Sequence, residues 1–258
     1  MPAIGFFDSG VGGLSVWREV AGLLLNESTI YLADSANAPY GEKPIDFIIE
    51  RSMKNTELLL KNDCKIIVVA CNTATTNAIR ILREKYAVPF IGIEPATKPA
   101  AIATKSGVIG ILATKGTLAS ELFHNTSRHY RGKVKIIETV GENLVQIVES
   151  GNLEAARPLL KKYLQPMLDA EADSIVLGCT HYPFLIPIIK EIVPQNVQVI
   201  DSGLPVARQC KRVLEEQGLL EKSPQSTTHR FYTNHNLTIL TQFCKLVGAH
   251  AECFQLDF

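Results

Sequence analysis

Ile67-Val-Val-Ala-Cys71-Asn72 and Ile175-Val-Leu-Gly-Cys179-Thr180 decide how this chain folds. Each is a short, continuous apolar run ended by a small residue, a cysteine and a polar residue. A strand buried on both faces of a parallel sheet reads this way, because neither face needs polar residues for water. The two stretches stand 108 residues apart, and three further pairs keep nearly the same spacing. Ile4-Gly-Phe-Phe-Asp-Ser9 aligns with Ile109-Gly-Ile-Leu-Ala-Thr114 at an offset of 105, and Tyr31-Leu-Ala-Asp34 with Ile136-Ile-Glu-Thr139 at the same offset. Val88-Pro-Phe-Ile91 aligns with Val197-Gln-Val-Ile200 at 109. Four matches in one order point to an internal duplication.

Outward from these stretches, the apolar pattern predicts strands at Ile4–Phe7, Ile30–Ala33, Ile66–Ala70, Phe90–Ile93, Val108–Ala113, Val134–Glu138, Ser174–Gly178, Val197–Ile200 and Phe231–Thr233. Helical patterns fall between them, at Gly13–Leu25, Phe47–Asn62, Thr76–Lys85, Gly116–Tyr130, Leu153–Ala170, Pro183–Val193 and Leu204–Gln217. Strand–helix alternation with short connections means an α/β fold with mainly parallel sheets. The duplication divides it into two similar α/β domains, 1–97 plus 208–258 and 98–207, with a cleft between them. The C-terminal tail then completes the first domain.

Composition sets outer limits. A chain of 258 residues buries a sizeable core without cross-links. With 46% hydrophobic and 20% charged residues it is neither disordered nor fibrous. Its 26 Lys+Arg balance 26 Asp+Glu, which argues against a protein built to grip a nucleic-acid backbone. The six cysteines show no C-x2-C spacing and are too sparse for a disulfide scaffold. The N-terminus has no basic, apolar leader pattern, and Ile66–Ala70 falls far short of the ~20 apolar residues of a membrane span. The expectation is a cytoplasmic protein with reduced thiols, no membrane partner, and chance Asn-x-Ser/Thr matches at Asn26, Asn125 and Asn236.

In open parallel sheets, ligands bind outside the carboxyl ends of the strands. There this sequence places Asp8-Ser9, Asp34-Ser35, Cys71-Asn72-Thr73, Thr114, Cys179-Thr180-His181 and Asp201-Ser202. Cysteines are usually inert core residues, and that reading suits Cys64, Cys210, Cys244 and Cys253. Cys71 and Cys179 differ: each follows a buried strand, precedes polar residues, and occupies the equivalent place on opposite walls of the cleft. Inverting a carbon that bears a hydrogen requires a base on one face and an acid on the other. Thiols, with an ordinary pKa of ~8.5, are tuned to either role with modest effort. Asp8-Ser-Gly-Val-Gly-Gly13 is a glycine-rich turn whose N–H groups suit an anion, although it matches neither nucleotide-binding motif. The Asp8 carboxylate, which a turn does not need, can set the charge of a neighbouring thiol or ammonium group. His181 stands beside Cys179, whereas the other histidines lack such company. Arg208–Glu216 reads as the solvated face of a helix.

Six segments closely resemble the glutamate racemases, of the cofactor-independent aspartate/glutamate racemase superfamily. They are Phe7-Asp-Ser-Gly-Val-Gly-Gly-Leu14, Asp34-Ser-Ala-Asn-Ala-Pro-Tyr-Gly41, Ala70-Cys-Asn-Thr-Ala-Thr75, Val88-Pro-Phe-Ile-Gly-Ile-Glu-Pro95, Leu112-Ala-Thr-Lys-Gly-Thr117 and Leu177-Gly-Cys-Thr-His-Tyr-Pro183. The resemblance implies interconversion of L- and D-glutamate without pyridoxal phosphate, metal or other cofactor, feeding peptidoglycan and cell-wall synthesis. It implies Cys71 as the acid/base for the D-enantiomer and Cys179 for the L-enantiomer, assisted by Asp8 and His181 respectively, with Glu149 positioning the histidine. It places Asp8, Ser9, Tyr40, Gly41, Asn72, Thr73, Thr180 and His181 at substrate-binding positions, with Thr114 and Thr117 as further contributors. No N-terminal extension of the kind found in precursor-regulated members precedes Met1, so that regulation is not expected. Oligomeric state stays open, a homodimer included. Three alternatives remain beside this reading: a racemase for aspartate or another amino acid, a non-catalytic two-lobed binding protein, and a metal-dependent hydrolase using Cys71, Cys179 and His181 as ligands.

Overall fold

The computed structural model describes residues 2–130, 132–224 and 226–258. Its strands are β1 (Ala3–Asp8), β2 (Thr29–Ala33), β3 (Cys64–Val69), β4 (Phe90–Gly92), β5 (Val108–Ala113), β6 (Lys135–Val140), β7 (Ser174–Gly178), β8 (Gln198–Ile200), β9 (His229–Thr233) and β10 (Glu252–Gln255). The helices are α1 (Leu14–Leu23), α2 (Ile45–Lys61), α3 (Asn72–Lys85), α4 (Thr97–Ala103), α5 (Lys115–Leu118), α6 (Glu121–Arg128), α7 (Leu144–Glu149), α8 (Arg157–Asp169), α9 (Ile186–Ile192), α10 (Gly203–Glu216) and α11 (Leu237–Leu246).

Two sheets result, every pairing parallel. One runs β10-β9-β2-β1-β3-β4 and the other β6-β5-β7-β8. The order β2-β1-β3-β4 of the first sheet is repeated as β6-β5-β7-β8 in the second. Each aligned sequence pair therefore occupies an equivalent strand, and β9 and β10 extend the first sheet beyond β2. The central strands β1, β5 and β7 are buried on both faces apart from the half-buried Val108. This is why their sequences show no polar alternation. The edge strand β6 has no fully buried residue, as an open edge permits.

The cores are built accordingly. Trp17 of α1 meets Phe231 of β9 edge to face, with ring centroids 4.9 Å apart, and its indole N–H donates to Thr29. Leu160, Leu164 and Met167 of α8 are buried in the same continuous core as β7. Gly110 of β5 leaves room for Met167, whose sulfur lies 2.4 Å from where a Cβ would stand.

Some elements differ from the sequence pattern. The helix read at Gly116–Tyr130 is two helices, because the Ser120 hydroxyl accepts from the Phe123 N–H and restarts the chain as α6. The patterns at Leu153–Ala170 and Pro183–Val193 begin with 3-10 turns at Leu153–Ala156 and Tyr182–Leu185. The helices α4, α7 and α11 and the strand β10 are additional. No helix among the described residues is long and apolar enough to cross a membrane.

Candidate active site

The carboxyl ends of the two sheets meet over a small cavity lined by Ser9, Pro39, Tyr40, Gly41, Cys71, Asn72, Thr73, Thr114, Val145, Cys179, Thr180 and His181. Its volume is about 10 Å³, room for roughly one water. Both singled-out cysteines line it, and both are free thiols.

Their surroundings differ. Cys71 is the N-cap of α3, and its sulfur accepts from the Ala74 N–H at 3.4 Å. It also lies 3.8 Å from the Ser9 hydroxyl. Burial, and after it the Asp8 charge, hold the Cys71 thiol well above its ordinary range despite these contacts. Cys179 ends β7 and is followed by a 3-10 turn rather than by an α-helix. Its sulfur lies 3.7 Å from Nδ1 of His181. Nε2 of His181 lies 2.6 Å from Oε1 of Glu149. Burial alone would lower the His181 pKa. The hydrogen bonds to Cys179 and Glu149, with the charges of Cys179 and Asp8, outweigh it and raise the value well above the ordinary one. An imidazolium against Cys179 is the counter-charge that a sulfur anion requires.

The glycine-rich turn holds anions, and they are the protein's own. The Gly13 N–H donates to Oδ2 of Asp8 at 2.6 Å and the Ser9 N–H to Oδ1 at 2.8 Å. The Val11 N–H donates to Oε1 of Glu149 at 2.7 Å. A Cβ on Gly10 would stand 1.9 Å from Oε1 of Glu149, and one on Gly12 would stand 2.3 Å from Nδ1 of His181. These glycines are needed for close approach rather than for a ligand phosphate. Burial raises the Asp8 carboxyl to about 6, against the opposing pull of His181 and the two N–H donors. The Thr180 hydroxyl donates to Oδ2 of Asp8 at 3.3 Å, linking the two sides of the cavity.

Asp8, Glu149 and Thr117 stand behind the cavity wall, and the other residues that the racemase resemblance marked line it, whereas the strand-end residues Asp34, Ser35, Asp201 and Ser202 do not. Thr117 bonds Thr114 at 3.0 Å, and Thr114 bonds Thr73 at 3.1 Å, so three hydroxyls close one end. Asn72 keeps a buried Oδ1 with no partner. The Tyr40 ring lines the cavity, but its hydroxyl points to Asp34. The sequence reading missed Pro39, Val145 and two holders of Glu149: the Val11 N–H and the Ser35 hydroxyl, at 2.9 Å from Oε2. Ser35 carried a signal, being polar at a strand end, whereas Val145 looks like any core residue. Among the described residues, no three His, Cys, Asp or Glu are grouped to hold a metal ion. The reading of Cys71, Cys179 and His181 as metal ligands thus lacks a donor set.

Comparison with known proteins agrees with this geometry. Residues 16–210 match the model of the Asp/Glu/hydantoin racemase family. The chain is 47% identical over 237 residues to a glutamate racemase of Ectopseudomonas mendocina (strain ymp), covering 91% of this chain and 90% of that protein. It superposes on a glutamate racemase isoform from Bacillus anthracis with a TM-score of 0.89 at 30% identity, covering 100% and 98% of the two chains. It superposes on the Escherichia coli glutamate racemase, solved in complex with L-glutamate and the activator UDP-MurNAc-ala, with a TM-score of 0.87 at 32% identity, covering 99% and 98%.

Proposed function

The chain belongs to the Asp/Glu/hydantoin racemase family, and on that premise we propose that it interconverts L- and D-glutamate by proton transfer between two cysteines. One observation carries the reading: two thiols at equivalent strand ends of two sheets of like order face one cavity. In the L-to-D direction, the Cys179 thiolate takes the α-proton of L-glutamate. The Cys71 thiol then delivers its proton to the opposite face of the planar anion, leaving Cys179 as thiol and Cys71 as thiolate. The reverse reaction exchanges the roles. Cys71, held neutral by burial, and the His181 cation beside Cys179 suit this starting arrangement.

The remaining residues have roles in the same scheme. Asp8 fixes the turn that carries Ser9 and adjusts Cys71, while Glu149 orients His181. The Ser9 hydroxyl and the backbone and side chains of Asn72, Thr73, Thr114 and Thr180 hold the substrate's carboxylates and ammonium, Thr117 contributes through Thr114, and Tyr40–Gly41 is the opposite wall. The free Oδ1 of Asn72 suits the ammonium. Holding the α-hydrogen toward one sulfur converts the transfer into an intramolecular step. The domains are 1–97 plus 208–258 and 98–207, and they part to admit glutamate, because the cavity as it stands accepts about one water. The product serves peptidoglycan synthesis in the cytoplasm.

The test is a metal-free assay in D2O with L-glutamate, D-glutamate and L-aspartate. Loss of optical rotation with deuterium at the α-carbon of glutamate is expected, and only slow change of aspartate. Undiminished racemisation by Cys71→Ala or Cys179→Ala would overturn the two-thiol scheme. Faster turnover of aspartate would overturn the substrate assignment.

A further inference from the structure

Behind the Tyr40 wall lies a polar hub that the chemistry above does not use. Asp34, fully buried at the end of β2, accepts from Nε and Nη2 of Arg51, each at 2.8 Å. The same carboxylate accepts from Nδ2 of Asn37 at 2.7 Å, from Nδ2 of Asn234 at 2.5 Å and from the Tyr40 hydroxyl. Arg51 reaches on from Nη2 to the carbonyl oxygen of Phe258 at 2.6 Å. Oδ1 of Asn234 accepts from the Ala36 N–H at 2.9 Å, pinning the loop from outside. Loop 34–41 is thus fastened at its start, middle and end to α2 and to the segment after β9. Its far side presses on the second sheet: a Cβ on Gly41 would stand 3.0 Å from Cβ of Thr114, and one on Gly116 would stand 3.2 Å from Cα of Gly41.

A buried ion pair of this kind is weak evidence for stability, because desolvating both charges offsets much of their attraction. Its geometry is better suited to fixing position, since a guanidinium fork meets a carboxylate in one plane. The geometry points to Arg51 as a positioning residue of the racemase site: through Asp34 it holds Tyr40–Gly41 against Thr114, and through Phe258 it makes the C-terminal segment part of that wall. This inference deepens the glutamate reading and rests on it for its substrate.

The test compares Arg51→Lys, which keeps the charge and loses the fork, with the parent enzyme. Asn234→Ala, which removes the outer fastening and one donor to Asp34 but leaves the guanidinium fork in place, is the second variant. The first readout needs no glutamate: site-resolved alkylation of the native protein by iodoacetamide, followed by mass spectrometry. A loosened wall admits the reagent to Cys71 and Cys179 ~10-fold faster, while the buried Cys64, Cys210 and Cys244 keep their parent rates. The second readout is kinetic: KM for both enantiomers rises by ~10-fold while kcat changes by less than ~3-fold, since the thiols themselves are untouched. Asn234→Ala shows the same pattern at smaller amplitude and decides the matter if Arg51→Lys does not fold. Unchanged site-thiol rates in a folded variant, or equal acceleration of all five thiols, would overturn the inference. A parent enzyme without racemase activity would overturn the glutamate reading alone, leaving the alkylation result to decide the wall.

Discussion

Gly12→Ala isolates what the glycine-rich turn does. An added Cβ would stand 2.3 Å from Nδ1 and 2.6 Å from Cγ and Cε1 of His181, against an ordinary contact of 3.4 Å or more. The far side is not a flexible chain end, because the ring is buried and fixed by Glu149 at 2.6 Å and Cys179 at 3.7 Å. To relieve the clash the imidazole or the turn must move by about 1 Å. Over-packing of that size costs about 1–3 kcal/mol, and a displaced catalytic geometry costs ~100-fold in rate. The expected result is a folded protein, with a melting temperature lowered by about 2–4 °C per kcal/mol and racemisation reduced ~100-fold in both directions, as equilibrium requires. The turn is held by Asp8 at two N–H groups, so the imidazole is the group expected to yield, which places the fault on the Cys179 side. Elimination of HCl from D-3-chloroglutamate, which needs only Cys71 as base, should therefore fall far less than elimination from the L-isomer. Gly22→Ala is the control, because nothing lies within 4 Å of its Cβ position and the helix should gain. Gly12→Ala that racemises within ~3-fold of the parent, or loses both eliminations equally, would refute the reasoning.

Further outcomes follow from the same contacts. The Asp8 carboxyl is raised to about 6, so the folded state binds a proton that the unfolded state has released. Its contribution is therefore fully present below the ordinary pKa and is lost as pH rises toward 6, a change of about 3 kcal/mol by linkage. Asp8→Asn should flatten that decline in urea denaturation between pH 4 and pH 7, and an unaltered slope would count against the assignment. Glu149→Gln removes one of the groups that raise His181. The alkaline limb of the kcat/KM profile should then move to lower pH, and a fixed limb would disprove the link. The exposed Gln146–Glu42 bond, 2.7 Å long, crosses the cavity mouth. Gln146→Ala should shift the open–closed balance by ~2–10-fold toward open, as loss of one hydrogen bond allows. A raised KM and reduced viscosity dependence of kcat would report it, and parental values of both would exclude it.

The sequence patterns that were legible are those with a single physical cause. The buried central strands show as unbroken apolar runs, and the repetition of β1–β4 as β5–β8 was readable as a nearly constant offset, although the strand order within each sheet was not. Strand β10 was not, because Glu252-Cys-Phe-Gln255 lies at an open edge and needs no apolar run. Helix α7, six residues long after a left-handed Asn143, is shorter than any periodic signal. Helix α11 did carry one, since the Asn236 side chain caps it by accepting from Thr238 and Ile239. At the site, residues at strand ends were readable by position. The Arg51–Asp34 pair was not, because it joins β2 to the middle of a helix whose charges otherwise look like a solvated face. The glycine-rich turn was read as a cradle for a ligand anion, yet its Ser9, Val11 and Gly13 N–H groups are taken by Asp8 and Glu149. Sequence shows that donors exist, and only the fold shows which acceptor fills them.

The distribution of contacts between the two sheets says how a cavity of about one water opens to glutamate. On one side the contacts are buried or partly buried, and two of the three end on a carboxylate: the Ser15 hydroxyl to the Thr180 carbonyl at 2.8 Å, the Val11 N–H to Glu149 at 2.7 Å, and the Thr180 hydroxyl to Asp8 at 3.3 Å. On the other they are hydroxyls and exposed amides: Thr73 to Thr114 at 3.1 Å and Gln146 to Glu42 at 2.7 Å. Breaking a buried, charge-assisted bond leaves its partner without water, whereas an exposed one exchanges for water at little cost. The expected opening by the cheaper route parts the sheets at Thr114 and Gln146 and pivots near the glycine-rich turn, and loss of protection in hydrogen exchange confined to the Thr114 and Gln146 side would check it. Such a pivot keeps His181, Glu149 and Cys179 together. Cys71, whose thiol burial holds high, has no such partner cation among the described residues and would move with the first sheet.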